Sequence, residues 1–252
     1  MAGAALRGRL RWLLAAVEDL TEQAPDVREI ALRVPGWPGH LPGQHVDVRL
    51  TAEDGYQAQR SYSVASPSER DRLSLTVERI PDGEVSTYLT GELRPGDQFE
   101  LRGPIGGYFV WTPDHAGPLL LVGAGSGIVP LMAMMRERAR SGSPVPASLL
   151  LSARSWERVI YHDELQRLAA GDDRLSISFA LTRSQPSGWS GYARRVDAAM
   201  LSEVAPPPPA SPQCFVCGPT GFVESVASAL VELGHRPGRV KTERFGPTGG
   251  DR

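Results

Sequence analysis

Near Trp111 the hydrophobic pattern of this 252-residue chain changes period, and the change limits what each half can become. Before it, short runs of β-forming character recur at residues 30–34, 45–50, 60–65, 73–79 and 98–102, with Pro42-Gly43, Pro81-Asp82-Gly83 and Pro95-Gly96-Asp97 between them. Regularly spaced short strands broken by turn residues predict a small barrel or sandwich. Only residues 85–93 of this half look helical. After it, apolar strands at 118–122, 148–152, 175–181, 214–217 and 239–243 alternate with helical stretches at 128–140, 161–169 and 221–233. Such alternation predicts a parallel sheet covered by helices on both faces. The expected architecture is an antiparallel β-barrel, residues 1–112, followed by an α/β domain, residues 113–252.

Composition narrows the partners. With 41% apolar and 22% charged residues the chain can build two cores, and its net charge of −2 offers nucleic acid no basic footprint. No apolar run approaches the ~18 residues that a membrane span needs. Arg7, Arg9 and Arg11 ahead of apolar residues 12–17 have the outline of an export leader, but Glu18 and Asp19 stand where a small-residue cleavage site belongs; a cytoplasmic location is expected. The only cysteines, Cys214 and Cys217, cannot supply a four-cysteine zinc or iron–sulfur site, so no metal centre is expected. Their C-x-x-C spacing suits a redox dithiol, but such pairs open a helix after a strand, whereas these lie inside an apolar strand.

Two motifs carry chemistry on their own terms. Gly123-Ala124-Gly125-Ser126-Gly127 joins the first strand of the second half to a helix. Glycines there let backbone N–H groups approach a pyrophosphate, and the helix start favours its charge, although the spacing is not G-x-G-x-x-G. Arg60-Ser61-Tyr62-Ser63 ends a barrel strand, where alternation sends Arg60 and Tyr62 to one face and Ser61 and Ser63 to the other. A guanidinium suits phosphate, and a phenol ring can stack on an aromatic ligand.

Taken in order, Arg60-x-Tyr62-Ser63, Gly83-x-Val85-Ser86, Gly123-x-Gly125-Ser126-Gly127 and Cys217-Gly218-Pro219 resemble the ferredoxin–NADP reductase family, over about residues 10–245. The resemblance implies that Arg60 binds an FAD phosphate, Tyr62 stacks on the flavin and Ser63 approaches its N5. It places Thr76, Val77 and Glu78 on the adenosine side of FAD, and Gly83, Glu84, Val85 and Ser86 around its pyrophosphate. Gly123, Gly125, Ser126 and Gly127 bind the pyrophosphate of NADPH or NADH, with Gly218 and Pro219 after the strand that carries Cys217. Cys217 then packs beside the nicotinamide, Glu243 helps to position that ring, and Phe245 covers the flavin face ahead of the tail 246–252. Ser63, Cys217 and Glu243 are thereby the expected catalytic residues. Thr182 and Arg183, with Arg154 nearby, resemble a 2′-phosphate site, which leans the choice of donor to NADPH.

No acid–base pair suited to an organic substrate is evident. The expected activity is an FAD-dependent reductase that takes hydride from NAD(P)H and passes electrons to a separate partner such as a ferredoxin, an oxygenase or another metalloenzyme. A free-standing flavin or ferric reductase and a non-catalytic flavin- or nucleotide-binding module are the alternatives.

Overall fold

The computed structural model describes residues 10–115 and 117–245. Arg7 and Arg9 of the leader-like stretch, and the tail 246–252, lie outside the described residues.

The first half is a six-stranded antiparallel sheet of β1 (Leu13–Ala24), β2 (Val27–Arg33), β3 (His45–Thr51), β4 (Gln57–Ser63), β5 (Arg72–Glu78) and β6 (Gln98–Ile105), in the order β4-β3-β6-β1-β2-β5. The outer strands meet where Val64, just past β4, bridges Leu75 of β5, and this turns the sheet into a barrel. Alternate residues Ile30 and Leu32, Val46 and Val48, Leu73, Leu75 and Val77, and Phe99 and Leu101 fill its interior. That is the period of two expected of strands with one face buried. Helix α1 (Glu84–Thr87) runs into a wider π turn, Tyr88–Glu92, where residues 85–93 predicted one helix. The sequence reading did not include β1. Its pairing with β2 shifts register between Val17 and Asp19 and again between Glu22 and Ala24, and these irregularities break the alternation that would have shown it.

The second half is a five-stranded parallel sheet of β7 (Leu119–Ala124), β8 (Ala147–Ala153), β9 (Leu175–Leu181), β10 (Gln213–Pro219) and β11 (Val240–Phe245), in the order β11-β10-β7-β8-β9. Leu119 and Leu121 of β7 face one core layer while Leu120 and Val122 face the other, which is why this strand reads as an unbroken apolar run. Helices α2 (Ile128–Arg140) and α3 (His162–Ala170) cover the first layer; α4 (Ala198–Val204) and α5 (Thr220–Glu232) cover the second. Cys217 belongs to the first layer and Cys214 to the second. Two thiols on opposite faces of a strand, about 10 Å apart along it, cannot pair as a dithiol. Among the described residues no helix is long and apolar enough to cross a membrane.

The first core layer also takes in Ala24, Val27 and Ala65 of the barrel, so the two halves share apolar packing. Beside it lies a polar junction in which Arg136 of α2 meets Glu29 of β2, and Tyr161 donates to Thr76 of β5.

Candidate functional site

Where the barrel faces the C-terminal ends of the parallel strands, the domains enclose a small pocket of about 160 Å³. From the barrel come His45, Ser61 and Ser63; from the other side come Ser126, Pro130, Cys217, Glu243, Arg244 and Phe245. The three expected catalytic residues are thus drawn together from two domains. Sheet register explains how. Ser63 pairs with His45 across β4 and β3, and Cys217 pairs with Glu243 across β10 and β11. Ser61 is held by Asp47, whose Oδ1 accepts its hydroxyl at 2.6 Å while Oδ2 accepts Arg102 Nε at 3.0 Å.

The glycine turn, Gly125–Gly127, is a single 3₁₀ turn leading into α2, with Gly125 at φ +55°. A Cβ on Gly127 would lie 2.3 Å from the carbonyl oxygen of Cys217, so only glycine lets the start of α2 press against β10. That contact sets Ser126 beside Cys217 at the pocket rim.

Burial governs the pocket's ionisation. Cys217 is 2% exposed, and burial, aided by the charge of Glu243, holds its thiol well above its usual value. The buried thiol is therefore held in its neutral form. Burial also pushes the Glu243 carboxyl up to about 7, and one of its oxygens, Oε2, is buried without a hydrogen-bond partner. Burial lowers the pKa of His45, with Asp47 opposing.

A larger cleft of about 630 Å³ adjoins this pocket, and Ser126 and Phe245 line both. Gly125, Arg154, Thr182, Pro219 and Glu78 line it as well. Arg183 does not; it is exposed, and its backbone N–H donates to the Arg154 carbonyl at 2.9 Å. Sequence reasoning missed Arg158, Arg195 and Phe222, which do line the cleft. Gly123 is the last residue but one of β7, just before the turn, and a Cβ on Gly218 would meet Phe222 at 2.8 Å. A long cleft with a glycine turn, a helix start and three guanidinium groups fits a dinucleotide bearing phosphates.

The remaining expected residues lie on the barrel. Arg60 is exposed, and Nη1 donates to the carbonyl of its neighbour Gln59 at 2.6 Å. Tyr62 is half-buried against the barrel core, and burial pushes its phenol up to about 12, so the ring is neutral. Tyr56 donates to Glu84 at 3.1 Å, which brings the α1 start beside β4; no side chain caps that helix. Val85 packs in the core, and Ser86 is turned inward, accepting from the Ile80 N–H at 3.1 Å. Apart from the exposed Glu84 carboxylate, which accepts from Tyr56, backbone groups of Gly83–Ser86 are left to face a ligand. Arg60 and the uncapped α1 amides thus form a donor set that fits a diphosphate. Val77 fills the barrel interior, and Thr76 is 5% exposed and occupied by Tyr161. Neither side chain is open to a ligand, whereas Glu78 faces the cleft. Among the described residues, no group of three or more His, Cys, Asp or Glu could hold a metal ion.

Known families match both halves. The Oxidoreductase FAD-binding domain matches residues 15–110, and the Oxidoreductase NAD-binding domain matches residues 121–228. The ferredoxin–NADP reductase B of Sorangium cellulosum is 35% identical over 242 residues, 92% of this chain and 96% of that protein. The glycine betaine monooxygenase reductase subunit of Pseudomonas aeruginosa is 34% identical over 209 residues, 82% of this chain; those residues span 56% of that protein. In fold, the chain is similar to the FAD/NAD-binding domain of a Vibrio cholerae nitric oxide dioxygenase, with a TM-score of 0.85 at 23% identity over 93% of this chain and 99% of that one.

Proposed function

Because the chain belongs to the ferredoxin–NADP reductase-like family of FAD- and NAD-binding oxidoreductases, we propose that it is an NAD(P)H-dependent flavoprotein reductase whose electrons go to a separate redox partner. The observation that carries this reading is the two-domain pocket in which Ser63 faces Cys217 and Glu243 and which shares Ser126 and Phe245 with the cleft. FAD, when bound, would supply the chemistry that lets a two-electron donor serve a one-electron acceptor.

The chain's own residues bind, orient and exclude water. Arg60 and the α1 amides would hold the diphosphate of FAD, and Tyr62 and Ser63 would contact its ring system. The turn Gly125–Gly127, at the head of α2, binds the dinucleotide's pyrophosphate. Phe245, which lines both the pocket and the cleft, would cover the face of a bound flavin. Glu243, neutral below about pH 7, orients that ring, and Cys217 packs beside it. Arg154 and Arg195, with Thr182, line the cleft and would supply the cations and hydroxyl for a 2′-phosphate, which favours NADPH as donor, whereas Arg183 does not line it. The domains divide at 112/113, between β6 and β7. The acceptor is an oxygenase, a ferredoxin or another metalloprotein, and the protein works in the cytoplasm.

Anaerobic titration of the purified protein with NADPH and NADH tests the reading. Flavin absorbance should bleach at a lower concentration of NADPH than of NADH; a flavin that neither nucleotide bleaches would refute the reductase.

A further inference from the structure

The cleft and the smaller pocket beside it both take walls from the two domains. Val27 and Glu78 of the barrel face Arg154 and Ile160 across the cleft, and Ser63 faces Cys217 and Glu243 across the smaller pocket. A donor held by one domain and an acceptor held by the other react at a rate set by the angle between the domains, since transfer needs the reacting atoms about 3–3.5 Å apart.

A polar bridge outside both cavities spans the two domains. Arg136 lies eight residues into α2, about 12 Å from the helix start that follows the glycine turn. Its Nη1 donates to Glu29 Oε1 at 2.7 Å and to the Ala65 carbonyl at 3.0 Å. Nη2 donates to Glu29 Oε2 at 3.1 Å and to Glu164 Oε2 at 2.6 Å, and Nε donates to Glu164 Oε1 at 2.8 Å. Every N–H of the guanidinium has a partner. Burial would lower the pKa of Arg136, but the bonds to Glu164 and Glu29 outweigh it, so the cation persists. Glu29 is held in turn by Ser74 at 2.7 Å and Gln23 at 3.0 Å. The guanidinium carbon sits 4.9 Å from the ring centroid of Tyr161, a non-glycine residue at φ +62° whose hydroxyl donates to Thr76 Oγ1 at 2.5 Å. A bulky residue in the left-handed region persists only where its surroundings hold it there.

Ala65 follows Ser63 by two residues, on the segment that bridges to β5. One arginine therefore joins the helix that starts at the glycine turn to the strand end that carries Ser63. We propose that Arg136 and Glu29 are positioning residues for hydride transfer, with α2 as a lever whose first turn holds the dinucleotide and whose third turn is pinned to the barrel. The inference rests on the reductase reading above. In the step concerned the nicotinamide C4–H bond breaks and a flavin N5–H bond forms. Two electrons pass from dinucleotide to flavin, and no bridge residue exchanges a proton.

The bridge contains its own control. Arg136–Glu29 crosses between domains, whereas Arg136–Glu164 stays within one, so Glu29→Gln and Glu164→Gln weaken the same guanidinium but only the first frees the angle. In anaerobic stopped-flow reduction by saturating NADPH, Glu29→Gln should slow the flavin-bleaching step roughly 10- to 100-fold, with the dissociation constant for NADPH changed by less than about threefold. The isotope effect with NADPH deuterated at the transferred position should be retained, and Glu164→Gln should stay within about threefold of wild type. Tyr161→Phe, which removes only the bond to Thr76, is the second variant should Glu29→Gln lose FAD, with an expected slowing of about 3- to 10-fold. A readout independent of turnover is the distance between spin labels at Glu53→Cys and Glu232→Cys, both exposed positions, while native Cys214 and Cys217 are buried. Its distribution should broaden in Glu29→Gln and not in Glu164→Gln. Equal bleaching rates in wild type and Glu29→Gln, or equal slowing in both glutamine variants, would overturn the inference while leaving the reductase intact. A wild-type flavin that neither nucleotide bleaches would overturn both.

Discussion

Glu243 presents its carboxyl to a pocket that leaves one oxygen without a partner, and burial raises its pKa to about 7. The folded protein then holds this proton more tightly than the unfolded chain, so the carboxyl's contribution to stability is full below about pH 4.5 and lost as pH rises through about 7. The melting temperature of wild type minus that of Glu243→Gln should therefore fall between about pH 5 and pH 8 and then level off; a difference that rises over that range would exclude the buried neutral acid. Arginines are the second residue-scale case. Arg195→Ala should raise the KM for NADPH about tenfold or more with little change for NADH, and Arg183→Ala should leave both within about twofold. Comparable effects in the two variants would place the 2′-phosphate elsewhere. Ser63, Cys217 and Glu243 were named from the order of motifs that resembles the reductase family, and all three line one pocket. Arg195 was not legible in this way. It lies between β9 and α4 on a stretch without regular structure, where no period tells which way a side chain points.

At the scale of elements, the glycine turn has a steric requirement that a single methyl group tests. Gly127→Ala puts a Cβ 2.3 Å from the Cys217 carbonyl oxygen and 2.6 Å from its carbon, so α2 must move off β10. Overpacking of this kind costs about 1–3 kcal/mol. A chemical-denaturation series should show that loss for Gly127→Ala and almost none for Gly107→Ala, whose Cβ meets nothing within 4 Å. Strands with one clean face, such as β2 and β5, were readable from alternation, and β7 and β10 from continuous apolarity. Helix α4 went unread although its N-cap is plain in hindsight, with Asp197 Oδ1 accepting the Met200 N–H at 2.8 Å. A seven-residue helix spans too few turns for its period to register.

For the molecule as a whole, the sequence order of barrel then α/β domain was legible because the two halves obey different periods. The strand order β11-β10-β7-β8-β9 and the angle between domains were not. Arg136 meets Glu29 from 107 positions away, and no local pattern announces a contact of that span. The same distance from local pattern hid the cleft, whose walls come from β2 and β5 on one side and from loops after β8 and β9 on the other. Phe245 stands at the boundary of this arrangement, one ring lining both the cleft and the smaller pocket. If that side chain moves when one cavity fills, the two occupancies become thermodynamically linked. Whatever factor a dinucleotide imposes on the pocket's occupant by shifting that ring, the occupant imposes the same factor on the dinucleotide.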